Sequence, residues 1–272
     1  MRNRNMPERD YTGSMYNQLV HAVSQHYTTY SILDYYEAQN KGTIDNRYMI
    51  MRHDVDADIN NALSMAKIDA AHGIRSTFYF RMKPTIFIPK IIKDIELLGH
   101  EIGYHYEVLS DAKGDWQKAR RLFMQNLDVL RKIACVKTAC MHGRSLSRFN
   151  NLDFFRRWRL QSFGLVAEPY LSIDYSDKYY FTDTGLCWDN QRFNIRDIVR
   201  SKGSGGVRDT NTLIGFLKST VPQKAALLTH TNNWVDDFML WSIYKTTFAV
   251  LNPVKALRKK VLFKRKRSER ST

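Results

Sequence analysis

The 272-residue sequence predicts a single α/β domain, layered or barrel-shaped, around a mostly parallel sheet. Three observations lead there. Short apolar runs alternate with longer stretches of helical periodicity, the pattern of strand–helix–strand units. The runs end in the polar strings RHDVD, GYHYE, CMHGRS and LLTHTNNW, and in parallel α/β folds chemistry gathers at the carboxyl ends of strands. Apolar residues make up 43% of the chain and aromatic residues 12%, enough to fill a core and too many for a disordered scaffold.

Residues 14–39 carry Tyr16, Leu19, Val20, Val23, Tyr27, Tyr30 and Leu33 at roughly helical spacing and predict one packing helix. Gly42 to Asn46 is a turn, after which YMIMRHDVD is a buried strand ending at a polar rim. Residues 59–72 are helical and stop at His72-Gly73, with glycine at the expected position. STFYF at 76–80 is the next strand, Pro89 to Leu98 a helix closed by Gly99, and EIGYHYE an extended segment. Trp116 to Ile133 is the clearest helix, with Leu122, Phe123, Leu127, Leu130 and Ile133 on one stripe. The glycine-rich SKGSGG at 201–206 is a loop: it lacks the Lys-Ser/Thr ending of a phosphate-binding loop, and no strand precedes it.

Cys135, Cys140 and Cys187 form no C-x-x-C pair and leave one thiol over in any disulfide scheme, which fits a reducing compartment. The N-terminus has no apolar run of signal-peptide length, and no stretch reaches the roughly 18 apolar residues of a membrane span. A cytoplasmic protein is expected. The net charge of +15 raises the question of nucleic acid, but it is lopsided. From Lys255 onward nine Lys or Arg face Glu269 alone, a net of +8 that leaves +7 for the rest of the chain. No zinc-finger or RNP-type motif is present, so no specific nucleic-acid partner is expected.

Asp54 and Asp56 lie two apart at a strand end, so both carboxylates can point to one side of the sheet. Such a pair repels unless a cation separates it or one member is protonated. Asp56 or Asp58 could instead cap the helix that starts near Ile59. His105 in GYHYE, flanked by Glu101 and Glu107, His142 in CMHGRS and His230 in LLTHTNNW each follow an apolar run. One acidic pair and three histidines at four strand ends suit a divalent metal and a proton donor.

These strings, in this order, resemble the polysaccharide deacetylases, carbohydrate esterase family 4, over roughly residues 47–234. RHDVD resembles the Asp-x-Asp form of the family's first motif, and GIRSTFYF its Gly-x-x-Ala-Thr-Phe-Phe strand. GHEIGYH, DTGLCW and LLTH follow at similar spacing. The resemblance implies a distorted (β/α)7-type barrel in a single domain at 47–250, with an N-terminal helical segment (1–46) packed on it and a basic tail (251–272). It implies Asp54 as general base, His230 as general acid, and Asp56 and His105 as ligands of a divalent metal, most naturally Zn2+. Leu109 stands where the family has a further histidine, so the third ligand is His142 or Glu107. Arg144, Asp183 and Trp188 would line the substrate or support the base; core packing is the other role for Trp188.

The activity so implied is metal-dependent removal of an acetyl group from a sugar or glycan precursor, as in bacterial surface polysaccharide biosynthesis. A decayed, sugar-binding version of the fold is the alternative. In the tail, Val254, Leu257, Val261 and Leu262 fall at i, i+3, i+7 and i+8, while Lys255, Arg258, Lys259 and Lys260 occupy much of the remaining circumference. This is the pattern of an interfacial helix, whose partner would be an anionic membrane surface at the cytoplasmic face. A solvated basic tail is the other reading.

Overall fold

The computed structural model describes residues 9–145, 147–188, 193–196 and 198–268, with side chains to residue 260. Seven strands form one sheet: β1 (Thr28–Tyr30), β2 (Tyr48–Val55), β3 (Thr77–Phe80), β4 (Glu101–Tyr106), β5 (Ala139–Met141), β6 (Tyr179–Thr182) and β7 (Lys224–His230). The order is β5-β4-β3-β2-β7-β6, with β1 on the first residues of β2, and every pairing is parallel. This is the curled sheet of a distorted (β/α) barrel in one α/β domain, as expected. The helices are α1 (Gly13–His26), α2 (Ile32–Lys41), α3 (Ile59–Ala71), α4 (Pro89–Leu97), α5 (Val108–Asp111), α6 (Trp116–Arg131), α7 (Phe154–Arg157), α8 (Pro169–Ser172), α9 (Thr210–Ser219) and α10 (Phe238–Ser268).

Strand periodicity sorts the side chains into two populations. Ile50, Tyr79, Cys140, Tyr180 and Leu228 pack together on the concave face, and Met49, Met51, Phe181 and Leu227 face the helices α1 and α9 on the other. Arg52, Asp54, His105 and His230 fall in phase with the concave set, so the alternation that builds the core also aims the polar residues at each strand end into the bowl. Gly103 is what the bowl needs opposite Tyr79. A Cβ there would meet the Tyr79 ring at 2.2 Å, so glycine lets the ring lie flat against β4.

The helix expected over 14–39 is two. Thr12 caps α1 by accepting from Met15 N, and Ser31 caps α2 by accepting from Asp34 N. Between them the stretch Tyr27-Thr28-Thr29-Tyr30, β-branched and aromatic, is drawn into the sheet, where β1 pairs with the first residues of β2. Helical spacing continued through this stretch because aromatic residues suit either element. The remaining elements lie where the sequence puts them, within one or two residues. Residues 201–206 form a loop in which Gly203, Gly205 and Gly206 take positive φ.

The long helix α10 begins thirteen residues before the basic tail was expected. Its inner side is tied to the body: Trp241 Nε1 donates to Asp10 O (2.7 Å) and Asn252 Nδ2 to Gly185 O (2.8 Å). Among the described residues no helix is long and apolar enough to cross a membrane, and Cys135, Cys140 and Cys187 are all free thiols.

Candidate metal centre

Adjacent parallel strands bring the polar residues together through register alone. Asp54 on β2 is the register partner of His230 on β7, and His105 on β4 that of Cys140 on β5. One residue past β2, Asp56 turns back over the rim. It is free to do so because Asp58, not Asp56, caps α3 by accepting from Asn61 N (3.1 Å). His142 follows β5 and is anchored by its N–H to Tyr106 O (2.8 Å).

Asp56 Oδ1 lies 3.4 Å from His105 Nε2 and 3.6 Å from His142 Nε2, and it is buried with no hydrogen-bond donor. The other nitrogen of each ring is already used: His105 Nδ1 donates to Cys140 O at 3.0 Å, and His142 Nδ1 meets Glu107 Oε2 at 3.1 Å. In the neutral form of each ring this leaves the lone pair on Nε2, on the side of Asp56, the arrangement that such hydrogen-bond partners give to metal-binding histidines. Tetrahedral ligands at Zn–N and Zn–O distances sit about 3.3 Å apart, close to the spacings here. These three residues could therefore hold a metal ion. Among the described residues Asp54, His105 and Cys140 form a second such group. There Arg52 Nη1 donates to Cys140 Sγ (2.7 Å) and Nη2 lies 3.9 Å from Asp54 Oδ2, so a guanidinium already supplies the positive charge.

Glu107 is committed elsewhere. Arg81 Nη2 (2.7 Å) and Lys83 Nζ (3.3 Å) share one of its oxygens, and His142 Nδ1 and Arg144 Nη1 (3.4 Å) share the other. Burial opposes the Glu107 charge, but His142 and Arg81 outweigh it and hold the carboxyl well below the usual range. Of the two residues left open at the third position, the geometry brings His142 to Asp56 and sets Glu107 behind it. Leu109 is buried in the core.

On the opposite rim Asp183, fully buried, accepts from His230 N (3.0 Å), Trp234 Nε1 (3.0 Å) and His230 Nδ1 (2.7 Å). Burial by itself would discharge His230, yet the Asp183 carboxylate, with lesser help from Asp56 and Asp54, lifts its pKa to about 10. The ring is thus an imidazolium whose Nδ1–H is spent on Asp183 and whose Nε2–H is left to give. Asp54 Oδ1 is buried without a donor.

Asp54, Asp56, His105, His142 and His230 all line one cleft of about 440 Å³, together with Arg144, Asn194, Arg196, Asn232, Phe248 and Lys255. Of the residues expected to line the pocket or to support it, two do not line this cleft. Asp183 touches His230 and not the cleft, and Trp188 is wholly buried, its ring stacked at 6.1 Å on Tyr11 and its Nε1 bonded to Thr210 Oγ1. Arg144 does line the cleft, where it is half paired with Asp111 (2.8 Å). Sequence reasoning missed Arg52, whose guanidinium reaches Cys140, Tyr170 and Tyr180 beneath Asp54. The signal was an arginine inside the apolar run YMIMRHDV, since a buried strand tolerates such a charge only when its donors are satisfied.

No family model matches the chain, and no curated protein matches its sequence. Among solved structures, it is similar to the Streptococcus pyogenes deacetylase PplD in complex with acetate, at 12% identity and a TM-score of 0.44, over 58% of this chain and 74% of that one. An O-ureido-L-serine synthase aligns over 84% of this chain and 83% of its own at 13% identity, with a TM-score of 0.20. Likenesses of this size carry no argument about function, which rests on the side chains.

Proposed function

We propose that the chain removes an acetyl group from a sugar in a metal-dependent hydrolysis, Asp54 acting as general base and His230 as general acid. The observation that carries this is the pairing of opposite proton tools across one cleft. A buried Asp54 oxygen without a donor and an imidazolium that Asp183 keeps charged line the same cleft. A binding site needs neither; acyl hydrolysis needs both.

Asp56, His105 and His142 would hold a divalent ion, best a borderline one such as Zn2+ given two imidazoles and one carboxylate. When bound it supplies Lewis acidity for the acetyl carbonyl and an acidified water. The chain's residues do the rest. Asp54, its other oxygen fixed beside Arg52, takes the proton of the attacking water. His230 Nε2–H protonates the departing nitrogen or oxygen as the tetrahedral centre collapses, and Asp183 holds the ring in the tautomer that allows it. The cleft volume suits a small-molecule or sugar-sized group. Arg144, Asn194, Arg196 and Asn232 supply polar contacts of the kind hydroxyl-rich substrates use.

Acetate release from N- and O-acetylated sugars tests this. Asp54→Asn and His230→Ala should each retain the metal and lose at least about a hundredfold in kcat, the usual worth of one acid or base. Full activity in both variants would remove their assigned roles.

A further inference from the structure

The helix α10 has two unlike sides. Trp241, Phe248, Asn252 and Lys255 turn toward the body, and Phe248 and Lys255 enter the wall of the cleft. Met239, Ile243, Val250, Val254 and Leu257 point away, 73%, 57%, 65%, 57% and 66% exposed. Their spacings of four, seven, four and three residues return to one line, since 18 residues make five turns of an α-helix. The result is an open apolar stripe about 27 Å long at 1.5 Å per residue. An isolated exposed leucine is ordinary, but five exposed apolar side chains aligned on one side of a helix that already packs by its other side, with Thr246 between Ile243 and Val250, are not.

Charge says what covers it. Between Phe238 and Ser268 the sequence has nine Lys or Arg and no Asp or Glu. Lys260 is exposed in this helix, and Lys245, also exposed, lies with its Nζ 4.6 Å from the centre of the Trp241 ring. A second copy of the chain would bring the same excess against itself, whereas an anionic lipid surface offers hydrocarbon for the stripe and headgroups for the cations. We infer that α10 lies in the interfacial layer of an anionic membrane, with Met239, Ile243, Val250, Val254 and Leu257 facing the acyl chains. The active cleft would then open beside the bilayer, about one helix diameter from the headgroups.

The apolar surface extends well before residue 251, so most of it lies outside the segment that charge alone marks as a tail. Pro253 falls inside the helix, where it lacks an N–H to donate to the preceding turn.

Sedimentation of the full chain with phosphatidylcholine vesicles, with and without phosphatidylglycerol, tests the assignment without reference to catalysis. Pelleting is expected only with the anionic vesicles. High salt should weaken it by about tenfold or more, because the cations are screened. The combined variant Ile243→Ser, Val250→Ser, Leu257→Ser should weaken it at least as much, with unchanged circular dichroism because these side chains are exposed. Equal binding by this variant, binding indifferent to lipid charge, or a wild-type dimer that the variant abolishes in the absence of any vesicle binding would each overturn the assignment. If the variant misfolds, the lipid-charge and salt arms on the wild-type chain still decide it.

Discussion

The contact between Asp183 and His230 gives the most informative perturbation. Asp183→Asn keeps the shape of a side chain that is fully buried and accepts from His230 N, His230 Nδ1 and Trp234 Nε1, but removes its charge. That charge is the principal reason the His230 pKa stands at about 10 in spite of burial. Without it the value should fall toward the ordinary 6.5 or below, since burial then acts with less opposition. At pH 8 the protonated fraction would drop from nearly all to about 3%, a loss of about thirtyfold in the acid form and in any rate that depends on it. Proton NMR titration of chelator-treated protein reads the pKa directly, free of the field of a bound cation. Stability should report the same change. The folded pKa lies above the unfolded one, so the imidazolium's contribution is fully present below about pH 6.5 and is lost as the pH rises toward about 10. The variant should flatten that slope. A His230 titration that stays near 10 in a folded Asp183→Asn variant would refute the electrostatic role of Asp183.

Three further outcomes are expected. Plasma mass spectrometry should find no metal in Asp56→Ala or His105→Ala, and His142→Ala should lose more affinity than Glu107→Gln, since the carboxylate that orients His142 through Nδ1 is worth about 10–100-fold. The reverse order would make Glu107 the ligand. Gly103→Ala drives a Cβ to 2.2 Å from the Tyr79 ring and should cost about 1–3 kcal/mol in urea unfolding, with the Tyr79 to Thr138 hydrogen bond weakened. A stability unchanged by this variant would mean that Tyr79 can move freely.

How much of this the sequence shows depends on whether a local pattern carries it. Asp54, His105 and His230 were legible because each ends a buried strand, and strand alternation turns all three into the same bowl. Their mutual distances were not legible, since they follow from register between strands far apart in the chain. The deciding contacts are of that kind: Glu107 with Arg81, Asp183 with Trp234, Arg52 with Cys140. Trp188 shows the limit from the other side. An aromatic residue after a polar turn looks the same whether it faces a cleft or the core, and only the ring of Tyr11, from the opposite end of the sequence, settles it. A further buried cluster went unseen. Asp69 accepts from Tyr16 OH (2.6 Å), Ser76 Oγ (2.6 Å) and the His53 ring (2.9 Å) behind β2, where no motif announces it. The break at Tyr27 was hidden for a different reason: helical spacing persisted although the residues favoured a strand.

The proposed acetyl hydrolysis needs the metal site. Protein stripped by chelator and assayed on an acetylated sugar should release no acetate, and one equivalent of Zn2+ should restore turnover in the wild type but not in Asp56→Ala. Undiminished release from stripped protein, or restored turnover in that variant, would contradict it.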